Sequence, residues 1–306
     1  MSADPAMAAR LLLGARLKAL REAAGITGGT AAASIGASAS KISRLESGHV
    51  GIRDCDASAL LDLYRAPADS HEQLLDLARQ TTGPGFWDGM DQVPVSARYP
   101  LSLEAAADTI LTFDSRAVPP LLQAPDYAYA LCAGSRSHAT WRSGLGMEIL
   151  ARRRSLMTAS RPPRVWALIG ASVLQRAPRG NYEILLQQID WLLLYRNQPS
   201  VTIQLIRDDE PVQLDTPGTF TLLRFDAPEL PAVVVLEQVT GTFVLDRRIE
   251  VERYSELMDR IAITALTPPD SMTAIAEIRD RIQASHLPGS RRPGRAAQPT
   301  LVPSAP

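Results

Sequence analysis

Lysine is nearly absent from this chain: of 32 basic residues only Lys18 and Lys41 are lysines, and both fall near the amino end. Net charge is also missing. The chain sums to -1 at neutral pH, which excludes bulk attraction to nucleic acid or to an acidic membrane surface. Cysteine is scarce, with only Cys55 and Cys132, far apart and in no paired spacing. This excludes a disulfide framework and a cysteine zinc motif, and predicts reduced thiols in a cytoplasmic protein. No stretch approaches the ~20 apolar residues that a membrane-spanning helix needs. Asp4 precedes the first apolar run and residues 11–13 fit an amphipathic helix, so no signal peptide is expected. The four histidines, His49, His71, His138 and His286, are scattered without metal-ligand spacing. No nucleophile–base motif, phosphate loop or glycine-rich nucleotide fingerprint is present. Catalytic residues, metal and cofactor are therefore expected to be none, and the protein is not read as an enzyme.

What is present is concentrated between Leu13 and Gly51. Leu13, Leu17 and Leu20 recur at helical spacing, and Gly25 ends that helix. Thr27 is placed to cap a short helix of small residues reaching about Ser34. Gly36 permits a tight turn, Ser38 caps again, and residues 39–46 form a third short helix. Two short helices joined by a glycine-containing turn, the second exposing Ser40, Lys41, Ser43 and Arg44, describe a helix-turn-helix DNA reader. Local charge agrees. From Arg10 to Arg53 there are seven basic residues (Arg10, Arg16, Lys18, Arg21, Lys41, Arg44, Arg53) against Glu22 and Glu46, and seven minus two is +5. A basic module on a near-neutral chain is the footprint of a modular DNA binder.

The run Gly25-Ile26-Thr27 followed by Gly36-Ala37-Ser38-Ala39-Ser40-Lys41-Ile42-Ser43-Arg44-Leu45-Glu46-Ser47-Gly48 resembles the XRE family, the lambda-repressor and Cro-like regulators. The resemblance implies an Arg late in helix 1 paired with the Glu that ends the recognition helix, here Arg21 and Glu46. It also implies DNA contacts from Thr27, Ser38, Ala39, Ser40, Lys41, Arg44 and Ser47, with Ser40 and Lys41 nearest the base edges. One departure is visible: Gly28-Gly29 stands where the family usually places Gln. Two glycines at a helix start cost about 1 kcal/mol each relative to Ala, and any phosphate contact there falls to the backbone.

At 306 residues the chain predicts two domains. Residues 1–9 read as disordered. Helices over 54–63 and from Asp69 or Ser70 to Gln80 complete an all-α domain over 10–80. Residues 81–99, rich in Gly and Pro, form a linker that Phe86 and Trp87 pin to something. Helices are predicted over 103–113, after Val118, over 146–158, 182–195 and 249–266, and a weaker one over 273–285. Strands are predicted over 164–169, 201–206, 219–225, 232–237 and 242–245. Without regular alternation these elements predict an α+β domain over 100–285 with a mostly antiparallel sheet, and 286–306 as a disordered tail.

Several side chains here invite a functional reading. His71-Glu72 fits a capped surface helix better than a metal pair, and Asp208-Asp209-Glu210 fits a solvated turn. Arg152, Arg153 and Arg154 suit an acidic partner. Glu237 ends an apolar strand, where a carboxylate is expected to be buried beside an arginine. Trp166, Trp191 and Tyr195 read as core.

The segments VPPLLQAPDYAYAL, the arginine cluster, SVTIQLIRDD, GTFTLLRF and VVVLEQ are similar, in order, to an antitoxin-like domain of unknown function that accompanies XRE modules in high-GC Gram-positive bacteria. Pro120 stands where Gly is usual, and Gly170 or Ala171 where many relatives have Glu. The resemblance, over about residues 87–266, implies a partner or effector, often a small acidic protein from a neighbouring gene. Together these readings predict a sequence-specific transcriptional regulator, a homodimer on double-stranded DNA, with no membrane association. An antitoxin-like sequestering module and a small-molecule sensor are the alternatives.

Overall fold

A helix occupies much of the amino-terminal segment that was expected to be disordered. α1 runs over Pro5–Ala23, with Asp4 accepting the Met7 N–H at its N-cap and a proline in the first turn, a start that both residue types favour. Ala6, Met7 and Ala9 are buried along it. The computed structural model describes residues 4–83, 85–88, 93, 95–134, 144–209, 218–226, 230–238 and 241–286. The chain divides into two compact units, Met1–Ile110 with Leu222–Val251, and Leu111–Thr221 with Glu252–Pro306.

In the first unit α1 is followed by α2 (Gly28–Ser34), α3 (Ala39–Glu46), α4 (Asp54–Leu63) and α5 (Ala68–Gln80). Leu13, Leu17, Ala31, Ile42, Leu45, Leu60, Leu61 and Leu74 bury together at its centre. The unit is not limited to this bundle. It takes in α6 (Val95–Ala106), which packs on α1, and two strands, β5 (Val233–Gln238) and β6 (Gly241–Leu245), the latter packed on α6. α6 begins inside the segment read as a linker. Trp87 and Val93 in that segment are buried, and Phe86 meets Trp87 edge to face.

The helix expected over 103–113 is instead the end of α6 followed by a strand, β1 (Thr109–Asp114), whose last five residues are all buried. The remaining strands are β2 (Arg164–Gly170), β3 (Val201–Ile206) and β4 (Thr219–Arg224). The second unit's helices are α7 (Pro125–Gly134), α8 (Gly144–Ser155), α9 (Tyr182–Leu194), α10 (Arg248–Thr264, but for its first four residues) and α11 (Pro268–His286). The six strands follow the order β3-β2-β1-β4-β5-β6.

This sheet is mixed, not mostly antiparallel. β2 and β3 pair in parallel, from Val165 opposite Val201 to Gly170 opposite Ile206. β5 and β6 are antiparallel, with Glu237 opposite Thr242. β4 runs against β1: Asp108 N–H donates to Arg224 O (3.0 Å), the Thr112 and Thr221 hydroxyls meet at 3.2 Å, and Ser115 Oγ donates to Gly218 O (3.3 Å). The physical reason lies in the connections. Helices separate β1 from β2 and β2 from β3, and a helical crossover brings the next strand back in parallel. With β1 read as helix, that alternation is invisible.

Side-chain amides fix the second unit. Gln188, fully buried on α9, donates to Leu122 O (3.0 Å) and accepts from Ala124 N (2.7 Å). Gln123 donates to Val118 O. Gln204 on β3 accepts from Trp166 Nε1 (2.7 Å) and donates to Leu266 O (2.8 Å), while Ser271 Oγ accepts from Leu205 N (2.9 Å). Together these bonds satisfy backbone groups and the Trp166 indole N–H, which would be costly to leave unpaired in or near the core.

Candidate nucleic-acid interface

α2 and α3 owe their ends to side-chain caps. Thr27 Oγ1 accepts the Thr30 N–H at 3.1 Å and Ser38 Oγ the Lys41 N–H at 3.2 Å. Gly36 and Gly48, with φ of 60° and 74°, close the two helices in left-handed conformations that side chains disfavour. At the end of α3 the Gly48 N–H donates to Leu45 O and the His49 N–H to Arg44 O. The turn between α2 and α3 is thus set within the motif itself.

α3 is then anchored from below by charge and close packing. Arg21 grips Glu46 with two parallel bonds, Nε to Oε1 at 2.6 Å and Nη2 to Oε2 at 2.8 Å, and its Nη1 donates to Ile26 O at 3.0 Å. One guanidinium therefore joins α1, the α1–α2 turn and the end of α3. The bond to Glu46 raises the Arg21 pKa, with burial opposing. The nearby Tyr64 phenol is pushed up to about 12, by burial first and by Glu46 second. Gly14 contributes by having no side chain. A Cβ there would lie 2.6 Å from Leu45 O and 2.7 Å from Glu46 O, so α1 and α3 meet backbone to backbone.

The outward face of α3 presents Ser40, Ser43 and Arg44, with Ser38 and Ala39 at its start, all exposed. The seven residues expected at DNA divide accordingly. Ala39, Ser40 and Arg44 lie on the open face, and Arg44 Nε rests on Ser40 O at 3.4 Å. The hydroxyl oxygens of Thr27 and Ser38 accept the cap bonds, and Ser47 Oγ donates to Ser43 O at 2.8 Å. Lys41 is drawn aside: its Nζ reaches Asp56 Oδ2 at 3.3 Å, and Arg53 binds the same carboxylate. Burial works against ionising Asp56, but the bonds from Arg53 and Lys41 outweigh it and hold its pKa low. Of the +5 counted along this segment, Arg21, Lys41 and Arg53 face carboxylates and Arg10 Nε faces Thr81 O. Arg44 is the exposed cation of α3.

Sequence reasoning missed two neighbours of this helix. His49 stacks on Tyr99 of α6, ring centroids 3.7 Å apart, and Tyr99 donates its hydroxyl to Ser47 O at 2.9 Å. Burial lowers the His49 pKa and Arg44 adds to that, while Asp246 and the Ser47 backbone oppose it. Burial likewise raises the Tyr99 phenol. The end of the recognition helix is therefore held by α6, 52 positions away. No local pattern announces that contact.

The candidates beyond the bundle are not brought together. Glu237 is exposed near the end of β5, not buried as expected, because that strand starts in the core at Val233 and Val234 and emerges as it proceeds. On α8 Arg153 is buried, with Arg152 and Arg154 half-buried, so the three do not form a solvated basic patch. His71 meets Asp62 at 3.3 Å, and His286 stacks on Tyr182. Residues 287–306, His138 and Glu210 lie outside the described residues. Among the described residues no group of three His, Cys, Asp or Glu is placed to hold a metal, and no helix is long and apolar enough to cross a membrane.

Two family models match the chain. Residues 12–74 match the family model described as a helix-turn-helix domain. Residues 98–277, more than half of the chain, match the model described as a domain of unknown function, DUF5753. No curated protein and no solved structure matches.

Proposed function

We propose a function for a chain that belongs to the DUF5753 family and carries a helix-turn-helix domain at its amino end: it is a sequence-specific DNA-binding transcriptional regulator. The observation that supports this best is the rigid outward face of α3, with Ser40, Ser43 and Arg44 exposed while Arg21–Glu46, Lys41–Asp56 and Tyr99–Ser47 fix the helix. A recognition helix of this kind enters the major groove. Arg44 reads a guanine edge or a phosphate, and Ser40 a base edge. Lys41, half-buried against Asp56, contributes less than its place in the motif suggests.

The finer reading is an XRE-type regulator acting as a cytoplasmic homodimer, its two recognition helices about one DNA turn apart. Its support is the motif resemblance. The DUF5753 region then carries the response to an effector or partner. The alternative, an antitoxin-like module that sequesters a small acidic protein, draws on Arg152, Arg153 and Arg154. With Arg153 buried and its neighbours half-buried, the regulator reading is the stronger.

Genome-wide mapping of bound DNA supplies the operator, and a gel-shift titration on it tests the assignment. Arg44→Ala is expected to cost about 1–3 kcal/mol of specific binding. Wild-type affinity in that variant would remove α3 from the interface.

A further inference from the structure

The strand order β3-β2-β1-β4-β5-β6 contains a reversal. From β1 the chain steps outward through β2 to β3, then returns to place β4 on the other side of β1. In open sheets with helical crossovers, such a reversal leaves a crevice outside the carboxyl ends of the strands, where ligands bind. Here the corresponding edge is where β1 ends and β4, antiparallel to it, begins, within the second unit.

The residues that gather there are chemically specific. Ser115 and Arg116 follow β1, Ser172 and Arg176 follow β2, and Gly218 and Thr219 open β4. Gly170, at the end of β2, lies against the Ser115 backbone, where an added Cβ would sit 3.4 Å from Ser115 Cα. Arg176 spans the two strand ends: Nη2 donates to Ser115 O (3.2 Å) and Ser172 Oγ (2.8 Å), and Nε to Ser172 O (3.2 Å). Arg116 Nη2 donates to Thr219 Oγ1 at 3.1 Å. Both guanidiniums are exposed, and these acceptors are carbonyl and hydroxyl oxygens. A guanidinium has five N–H donors; these bonds commit one of them in Arg116 and three in Arg176, and both side chains stay exposed.

The carboxylates of the cluster are engaged with backbone N–H groups, and Asp114 with the Thr219 side chain as well. Asp114 is buried, and its Oδ1 accepts from Arg116 N (2.7 Å) and Ala117 N (3.0 Å). Asp208 Oδ1 accepts from Ser172 N at 3.0 Å. Burial raises the Asp114 pKa against the pull of those N–H groups, of the Thr219 side chain and of Arg116.

We infer that Arg116 and Arg176, with the hydroxyl of Ser172, form a binding site for a small oxyanion, the carboxylate or phosphate group of a metabolite. Planar guanidiniums and a short hydroxyl at two strand ends match the paired oxygens of such a group. Calling the bound molecule an effector rests on the regulator reading; the binding itself does not.

The full chain, in chloride buffer at constant ionic strength, is titrated separately with inorganic phosphate and with succinate. Melting temperature and calorimetric heat are recorded. At least one probe is expected to give a saturable response. Arg116→Gln or Arg176→Gln singly lowers that affinity about tenfold or more, since a hydrogen bond to a charged group contributes about 1.5–3 kcal/mol and 1.4 kcal/mol is a factor of ten. The double variant abolishes it. Arg207→Gln, which removes a nearby arginine paired with Asp209, leaves it unchanged. Which probe responds separates carboxylate from phosphate. The single variants and Arg176→Lys keep the measurement decisive if the double variant does not fold. An equal response in wild type and double variant, or no saturable response to either probe, overturns the inference. A gel shift on the same proteins reports DNA binding separately: intact DNA binding without anion binding rejects this site alone, and the reverse rejects the regulator reading alone.

Discussion

The helical bundle and the second unit solve the same problem, holding a surface in place, with different chemistry. In the bundle the fasteners are charges and caps. Arg21 clamps Glu46, Asp56 gathers Lys41 and Arg53, and Thr27 and Ser38 start the two reader helices. In the second unit the Arg279–Asp190 pair lies at the surface, and the fasteners of the core are neutral. Gln188 brackets Leu122 and Ala124, Gln204 ties β3 to Leu266, and Ser271 ties Leu205 to α11. The contrast follows from depth. Glu46 and Asp56 keep side-chain exposures of 9% and 8%, each against a guanidinium. Gln188 has 0%, where an ion would carry a desolvation penalty of several kcal/mol.

The sharpest way to break the comparison is to remove one charge from the bundle. Glu46→Ala leaves Arg21, itself 15% exposed, without its bidentate partner beside the core. Loss of one member of a buried pair costs about 3–5 kcal/mol, and partial exposure places this site at the lower end. The expected outcome in urea unfolding is a bundle destabilised by about 3 kcal/mol, with DNA affinity lost in parallel. A loss under about 1 kcal/mol would class the pair with surface ion pairs.

The neutral fasteners are tested by Gln188→Leu. The substitution keeps volume but strands the Ala124 N–H and the Leu122 carbonyl in the core, at about 1–3 kcal/mol for the unsatisfied groups. Unfolding of the second unit should shift by about 2 kcal/mol, with the gel shift on operator DNA unchanged. An equal loss of DNA binding would show that the two kinds of fastening are not separate.

The same contrast explains what was legible. Caps, glycine turns and the Arg21–Glu46 pair lie within one motif, and their spacing is a local property of the chain. The amide brackets join residues more than sixty positions apart, and nothing near Gln188 or Gln204 marks them as more than polar residues in apolar segments. β1 was misread for a related reason. A strand buried on both faces loses its alternation and, attached to the end of α6, its apolar residues fall at helical spacing. With β1 hidden, neither the parallel half of the sheet nor the strand-end arginines were visible. Gly14 reads in sequence only as a weak helix former, and its value appears once the backbone of α3 lies 2.6 Å from where its Cβ would be. Asp56 and Tyr99, which decide how Lys41 and the end of α3 are held, lie outside the motif.

The smallest expected effect lies on that last contact, where a ring stack and not an ion pair holds the reader. His49 lies against Tyr99 and near Ser47, Arg44 and Asp246, and burial keeps its pKa below the ordinary 6.5. A histidine with a depressed folded-state pKa binds its proton more readily when unfolded. Its contribution to stability is therefore fully present above about pH 6.5 and is lost as pH falls through the folded value. His49→Phe retains an aromatic ring against Tyr99 and removes the titration, while Ser47 keeps its bond to Ser43 O. Urea midpoints compared at about pH 7.5 and about pH 5.5 should fall less on acidification in the variant than in the wild type, with every other titrating group common to both. Identical slopes would mean that the His49 ring sheds its stack to accept a proton at no cost. The α6 contact would then be a resting place for the recognition helix and not a restraint on it.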